Sequence, residues 1–443
     1  MFWSDHAMLR WLITVSLLVT SLPGCASRPA GDRRATSDGH VTLTYWSATN
    51  AQEVEFANSV AAEWNAAHPS IQIKVEPVPA SQSSEEVILA AVAGGTTPDI
   101  YANVFPGALQ DLLDADSLVR LDAFPDFTAL MQERMGATLL AQYRSADGHF
   151  YQAPWKSNPI MLLYNTGMLR AAGVHSLPTT YSEFLAAAER VTRDRDGDGQ
   201  LDQWMATIDY LPLWYKRLFD YYPLYLAATG GQTLVADRRV LFDNEQSVAS
   251  FRFLRECFVR GYVPRQFFQG DVFLDGRVAA RFTGPWSISH LERYRPANFE
   301  YDFGPMLRPD GAAAGGAAIS YADPKSIVIF KSCRHPREAW EFIKFLISRQ
   351  NDLKLLELTS QLPIRQSLSD DELFADYFRR HPRMVQFATQ VPHARSIDSL
   401  AELKEILDVI AQEFEASVVY DLKPPEQAIR DAARRSQQLL DAQ

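Results

Sequence analysis

Hydrophobic and polar positions in this chain switch between two periods, and the switches predict its elements. Val41-Thr42-Leu43-Thr44-Tyr45-Trp46 alternates and is β-branched, which predicts a strand. From Glu53 to His68 the pattern becomes helical, carrying Val54, Phe56, Ala57, Val60, Ala61 and Trp64 until Pro69 stops it. Ile71 to Val78 reads as a second strand, Ser84 to Ala93 as a helix capped by Gly94-Gly95, and Asp99 to Val104 as a third strand. Strand, helix, strand, helix, strand is the order of a parallel α/β sheet. Further on, Met161 to Asn165, Val278 to Phe282 and Ser326 to Phe330 predict strands, and Tyr181 to Arg193 and Val248 to Arg260 predict helices. The middle region is therefore a second α/β unit. Asp310 to Gly316 reads as a loop, Pro336 to Ser348 as a strongly patterned core helix, and most of the chain to Leu440 as helical, broken at Pro363, Pro392 and Pro424-Pro425.

The N-terminus follows a different logic. An apolar run from Trp11 to Val19, with Arg10 before it, leads into Leu22-Pro23-Gly24-Cys25. It is too short for a permanent spanning helix, which needs roughly twenty apolar residues, and reads as an export signal over residues 1–25. The segment resembles a bacterial lipoprotein lipobox, which implies cleavage before Cys25 and lipidation of that residue. The alternative is a secretory signal with Cys25 merely near the cut. Residues 26–40, rich in Arg, Ser, Gly and Ala, fit a flexible tether. The expected location is outside the cytoplasm, lipid-anchored at the membrane.

Composition narrows the partners. A net charge of -11 with no basic stripe argues against nucleic acid and against an electrostatic grip on anionic lipid. Cys257 and Cys333 have no metal-like spacing, so either a disulfide or two buried thiols is open. No HExxH, Walker, Rossmann or GxSxG pattern occurs in a fitting context, and His290 and His335 read as surface residues. Nine tryptophans and seventeen tyrosines, in a chain without catalytic signatures, suggest flat aromatic surfaces for a ligand as well as core packing.

The strongest local motif is Asp194-Arg195-Asp196-Gly197-Asp198-Gly199-Gln200-Leu201-Asp202. Acidic side chains at alternate positions, with glycine at the sixth, suit a loop that folds oxygens around Ca²⁺. Asp194, Asp196, Asp198, Gln200 and Asp202 are the candidate ligands for a structural ion. Position twelve, a bidentate Glu in an EF-hand, is Met205 here.

These pieces occur in an order that resembles the extracellular solute-binding proteins, family 1, of ABC sugar importers, similar to maltose-binding protein. The carriers are the lipobox, Tyr45-Trp46-Ser47, Trp64-Asn65-Ala66-Ala67-His68-Pro69, Thr97-Pro98-Asp99-Ile100, Leu163-Tyr164-Asn165, the turn at Asp194, Gly284-Pro285-Trp286, Ala339-Trp340-Glu341-Phe342-Ile343 and Leu362-Pro363-Ile364-Arg365. The resemblance implies an α/β, two-lobed periplasmic-binding-protein-like fold of type II, with a ligand cleft between lobes and several hinge crossings. Crossings are expected near Ala153 to Pro159, Ser320 to Lys325 and Pro363 to Ser367. One lobe would hold residues 41–155 and 324–365, the other 156–323 and 366–443.

The same resemblance implies aromatics lining the cleft at Trp46, Trp155, Trp214, Tyr222, Tyr225 and Trp286, covering the apolar face of a sugar at roughly 25 cal/mol per Å² of buried surface. Asp99, Asn165, Asp209 and Arg365 are candidates for its hydroxyls. The implied function is non-enzymatic: a monomer captures a di- or oligosaccharide and hands it to the permease subunits of an ABC importer, with no cofactor for chemistry. An exported glycan-acting enzyme, a sensor subunit, or a glycerol-3-phosphate or polyol receptor on the same fold are the alternatives. For a phosphorylated ligand, Arg365, Arg217 and Lys156 are the available bases.

Overall fold

The computed structural model describes residues 40–81, 83–311, 317–398 and 400–442. Cys25, the export segment, the tether up to residue 39 and positions 312–316 of the expected loop lie outside the described residues. Among the described residues, no helix is long and apolar enough to cross a membrane.

In chain order the strands are β1 (Val41–Ser47), β2 (Ile71–Pro77), β3 (Ile100–Val104), β4 (Ala153–Lys156), β5 (Met161–Asn165), β6 (Trp204–Thr207), β7 (Val235–Ala236), β8 (Arg239–Val240), β9 (Val278–Thr283), β10 (Tyr301–Gly304), β11 (Ser320–Tyr321), β12 (Lys325–Ile329) and β13 (Ala394–Arg395). They form two main sheets. The first, ordered β2-β1-β3-β12-β4, opens as the alternation predicts, with β1 parallel to both β2 and β3. It does not stay parallel: β12 runs antiparallel to β3 and to β4, because it enters from the other sheet rather than over a helical crossover. The second sheet, β10-β5-β9-β6, is mixed as well. β6 and β10 have no alternating signal, being short and largely buried on both faces.

Helices Ala51–Ala67, Pro336–Leu346 and Arg349–Thr359 pack on the first sheet, bringing Trp64 edge-on to Phe342 at 5.6 Å. Each such large side chain, fully buried, contributes about 1.5–3 kcal/mol. Cys257 and Cys333 are both free and buried, in different cores.

The chain passes between the sheets three times, over residues 157–160, 322–324 and 360–368. Asn158 joins all three passages: its backbone N–H donates to Ala322 O (2.6 Å), its Nδ2 to Gln361 Oε1 (3.1 Å), and its Oδ1 accepts from Leu362 N–H (3.1 Å). Ser157 N–H to Leu362 O (3.0 Å) and Ile160 N–H to Tyr321 O (2.9 Å) complete the strap.

Candidate functional site

A cavity of about 520 Å³ lies where the two sheets' lobes face each other across this strap, within the size range of small-molecule sites. Its floor is built from a helix start. Asn50 caps the helix Ala51–Ala67 by accepting from Glu53 N–H (2.9 Å), and its Nδ2 returns a bond to Glu53 Oε1 (2.9 Å). The cap therefore fixes Glu53 at the cavity wall. There its carboxylate accepts from Lys156 Nζ (2.6 Å), Asn103 Nδ2 (2.9 Å) and Gln361 Nε2 (2.7 Å). Burial alone would raise the Glu53 carboxyl, but Lys156 and these donors hold it at about 2. Burial pushes Lys156 down, and Glu53 opposes that shift. The Lys156 ammonium also sits 4.3 Å from the Trp155 ring centroid. A second pair, Lys325 Nζ to Asp323 Oδ1 at 2.9 Å, lines the same cavity. Two cations and two carboxylates thus cancel.

The opposite wall is aromatic. Trp286 opens the helix Trp286–Tyr294, and its indole folds back over Gly284, where a Cβ would lie 2.1 Å from the ring. Phe219 meets it edge to face at 6.2 Å. His290 also lines this wall and pairs with Asp271 (2.9 Å), which binds Arg281 (3.2 Å) in turn. Phe219 further borders a second pocket of about 380 Å³, where Asp209 and Lys216 pair at 2.7 Å. Beside the cavity the lobes touch directly. Phe105, just after β3, packs on Trp214 at 5.8 Å, Lys404 reaches Glu86 at 3.2 Å, and a Cβ on Gly107 would lie 2.5 Å from Leu403 Cδ2.

Of the residues expected to line the cleft, the structure brings Trp286 to the cavity and Asp209 to the adjoining pocket. The others have local tasks. Trp46 is bonded to Glu76 (3.2 Å), and Asp99 accepts from Thr44 N–H (2.7 Å) and Thr44 Oγ (2.8 Å). Trp155 is only 1% exposed, its indole turned into the first core. Asn165 caps the helix Thr166–Ala171. Trp214 packs between the lobes, while the hydroxyls of Tyr222 and Tyr225 donate to Ser396 O and Thr233 O, both at 3.1 Å. Arg365 binds Asp352, which also holds Arg134, and donates to Ile347 O (3.0 Å). Arg217 is fully buried against Phe414 and paired with Asp220 (2.8 Å). Lys156 alone of the three candidate bases lines the cavity. Glu53, Asn103, Phe219 and Lys325 were not legible as site residues, and His290, read as surface, is one of its walls.

In the aspartate loop, Asp194, Asp196 and Asp202 converge, with carboxylate oxygens all within 4.8 Å of one another. Asp202 Oδ1 is buried without a protein partner, which fits a cation ligand. Asp198 is not in this trio; its Oδ1 accepts from the backbone N–H of Gln200 (2.8 Å).

Residues 59–380 match the family described as "Bacterial extracellular solute-binding protein". This chain belongs to that family. Among its curated relatives, the sn-glycerol-3-phosphate-binding periplasmic protein UgpB of Escherichia coli is 21% identical over 428 residues, spanning 92% of this chain and 94% of its own. A crystal structure of an uncharacterized protein from Listeria monocytogenes is similar with a TM-score of 0.74 and 26% identity, over 90% of this chain and 100% of its own. The sugar-binding protein MalE from Xanthomonas citri shares the fold with a TM-score of 0.71 and 19% identity, over 91% and 98%. A Listeria monocytogenes ABC substrate-binding protein in complex with cycloalternan aligns with a TM-score of 0.75 and 15% identity, over 91% and 99%. The two-lobed, interlobe-cleft architecture expected from the sequence is the architecture found.

Glu53 contributes an acid-side pH dependence to the stability of this solute-binding protein. Its pKa falls from an ordinary 4.5 to about 2 on folding, so the stability it contributes is complete above 4.5 and is lost as pH drops through that window. Glu53→Gln leaves Lys156 buried without its partner and is expected to lose about 3–5 kcal/mol of unfolding free energy at neutral pH. Urea denaturation should show this deficit narrowing as pH falls below about 4. A deficit independent of pH would assign it to packing instead.

Proposed function

We propose that this chain captures a neutral carbohydrate, a di- or oligosaccharide, in the interlobe cavity and delivers it to the permease of an ABC importer. The observation that carries this reading is the cavity's charge balance beside an aromatic wall. Lys156 and Lys325 are each bound to a carboxylate, leaving no surplus cation for a phosphate, while Trp286 and Phe219 offer the apolar surface a pyranose face covers. Relatives named for sugar binding and for cycloalternan support it; the likeness to UgpB supports a phosphorylated polyol. A glycosidase needs one carboxyl kept protonated as the acid, and Glu53, held at about 2, does not supply it. Ligand binding does its work by favouring the closed lobes over the open ones, which the permease then distinguishes.

Isothermal calorimetry and thermal shift with maltotriose, cellobiose, sucrose, glycerol and sn-glycerol-3-phosphate test this. A neutral sugar is expected to bind, stay intact and stabilise the protein by about 2.7 kcal/mol at a hundredfold excess over Kd. Binding of sn-glycerol-3-phosphate alone would replace the neutral ligand, and breakdown of a sugar would replace the receptor by an enzyme.

We also propose that acyl chains on Cys25 tether the protein to the outer side of a membrane, the soluble body carrying no spanning helix among its described residues. Cys25→Ser is expected to move the protein from the membrane to the soluble fraction; unchanged retention would remove the anchor.

Asp194, Asp196 and Asp202 would hold a structural Ca²⁺, supported by their convergence and by the unpartnered Asp202 oxygen. Chelation with EGTA should then lower the melting temperature, and Asp202→Ala should abolish that response. A melting temperature indifferent to EGTA would exclude the ion.

A further inference from the structure

Asn103 lies in β3 with φ at 82°, in the left-handed region that non-glycine residues rarely adopt. Its neighbours show why. Against β12, Ala102 faces Ile327 and Val104 faces Ser326, so Asn103 is the extra residue of a β-bulge with no partner across the pair. Bulges re-aim a side chain, and this one brings Asn103 to the interlobe cavity. The amide is oriented by chemistry. Its Nδ2 donates to Glu53 Oε2 at 2.9 Å, and an ionised carboxylate can only accept, so the nitrogen must face Glu53. That leaves Oδ1 as the open end. It is buried, and among the described residues no group donates to it.

A strained backbone and an unsatisfied buried acceptor therefore coincide on one residue of the cavity, and each is a cost the fold retains. Lys156 stands on the same Glu53 oxygen, with one of its three N–H donors committed there. Acceptor and donor flanking a single carboxylate oxygen match a group that both gives and takes a hydrogen bond. A hydroxyl does this; a phosphate oxygen, which only accepts, would meet the amide oxygen with like polarity.

We infer that Asn103 Oδ1 is the specificity-determining acceptor for a hydroxyl of the ligand. This rests on the carbohydrate reading. A ligand lacking that O–H, or carrying it methylated, leaves the amide oxygen buried and unpaired and is rejected.

The test uses Asn103→Gly, which removes the acceptor and relieves the strain, glycine being at home at this φ. In calorimetry with the tightest neutral sugar of the panel above, Kd should rise tenfold or more, in a variant whose ligand-free melting curve shows that it is folded although it has lost the bond from Asn103 Nδ2 to Glu53. Singly deoxygenated derivatives of that sugar supply the second readout. One of them should bind wild type at least tenfold more weakly than the parent sugar, and this penalty should shrink in the variant to what the bond from Lys156 contributes. An unchanged Kd in the variant, or a deoxy penalty that is undiminished in it for every derivative, overturns this inference while leaving the carbohydrate reading intact. A wild-type protein that binds no sugar of the panel overturns both.

Discussion

The ionised carboxylate of Glu53 is the point on which the cleft depends. Four residues donate to it, three of them from segments remote in sequence: the neighbouring cap residue Asn50, the bulge residue Asn103, Lys156 at the end of β4, and Gln361, which is 308 residues away. A buried ion pair adds little net stability over an apolar contact of the same shape, because desolvation cancels much of the attraction. Its effect is positional. Every donor must keep its place, or a charge is left unsolvated, so the polar side of the cavity floor is held in position.

The strap at Asn158 extends that rigidity into the hinge. Because all three passages are bonded to one another and Gln361 links Asn158 to Glu53, they bend as a unit and not as three independent strings. Hinge closure about such passages is the motion that cleft proteins use. The hydrogen-bonded floor, the bonded passages and the aromatic wall thus come from different parts of the chain.

How much of this was legible in the sequence follows from how local each cause is. The opening β1, β2 and β3, with their connecting helices, were readable because periodicity and capping glycines act over a few residues. Trp286 was named through the family resemblance that Gly284-Pro285-Trp286 carries, and in the structure its indole lies over the space that a side chain on Gly284 would fill. Trp155 was not, for a geometric reason: successive strand residues face opposite sides, so with Trp155 in the core it is the next residue, Lys156, that meets Glu53. Among the aromatics from Trp214 to Tyr225, the pattern could not say that Phe219 would be the one at the wall. Asn103 was beyond reach altogether, because its bulge arises only when β12 arrives from far along the chain. Glu53 looked like the first turn of an ordinary amphipathic helix; its partners lie in other elements.

The contacts of Phe105 with Trp214 and of Gly107 with Leu403 join the lobes without passing through any ligand. If the lobes part when the cleft opens, the free energy of these contacts favours closure equally for every molecule that the cleft accepts. Natural variation in this clasp can therefore raise or lower affinity for all ligands together, leaving their ranking untouched. Strength of capture and choice of cargo are then separately adjustable properties, and selection can match the receptor to scarce or abundant nutrient without redrawing the site.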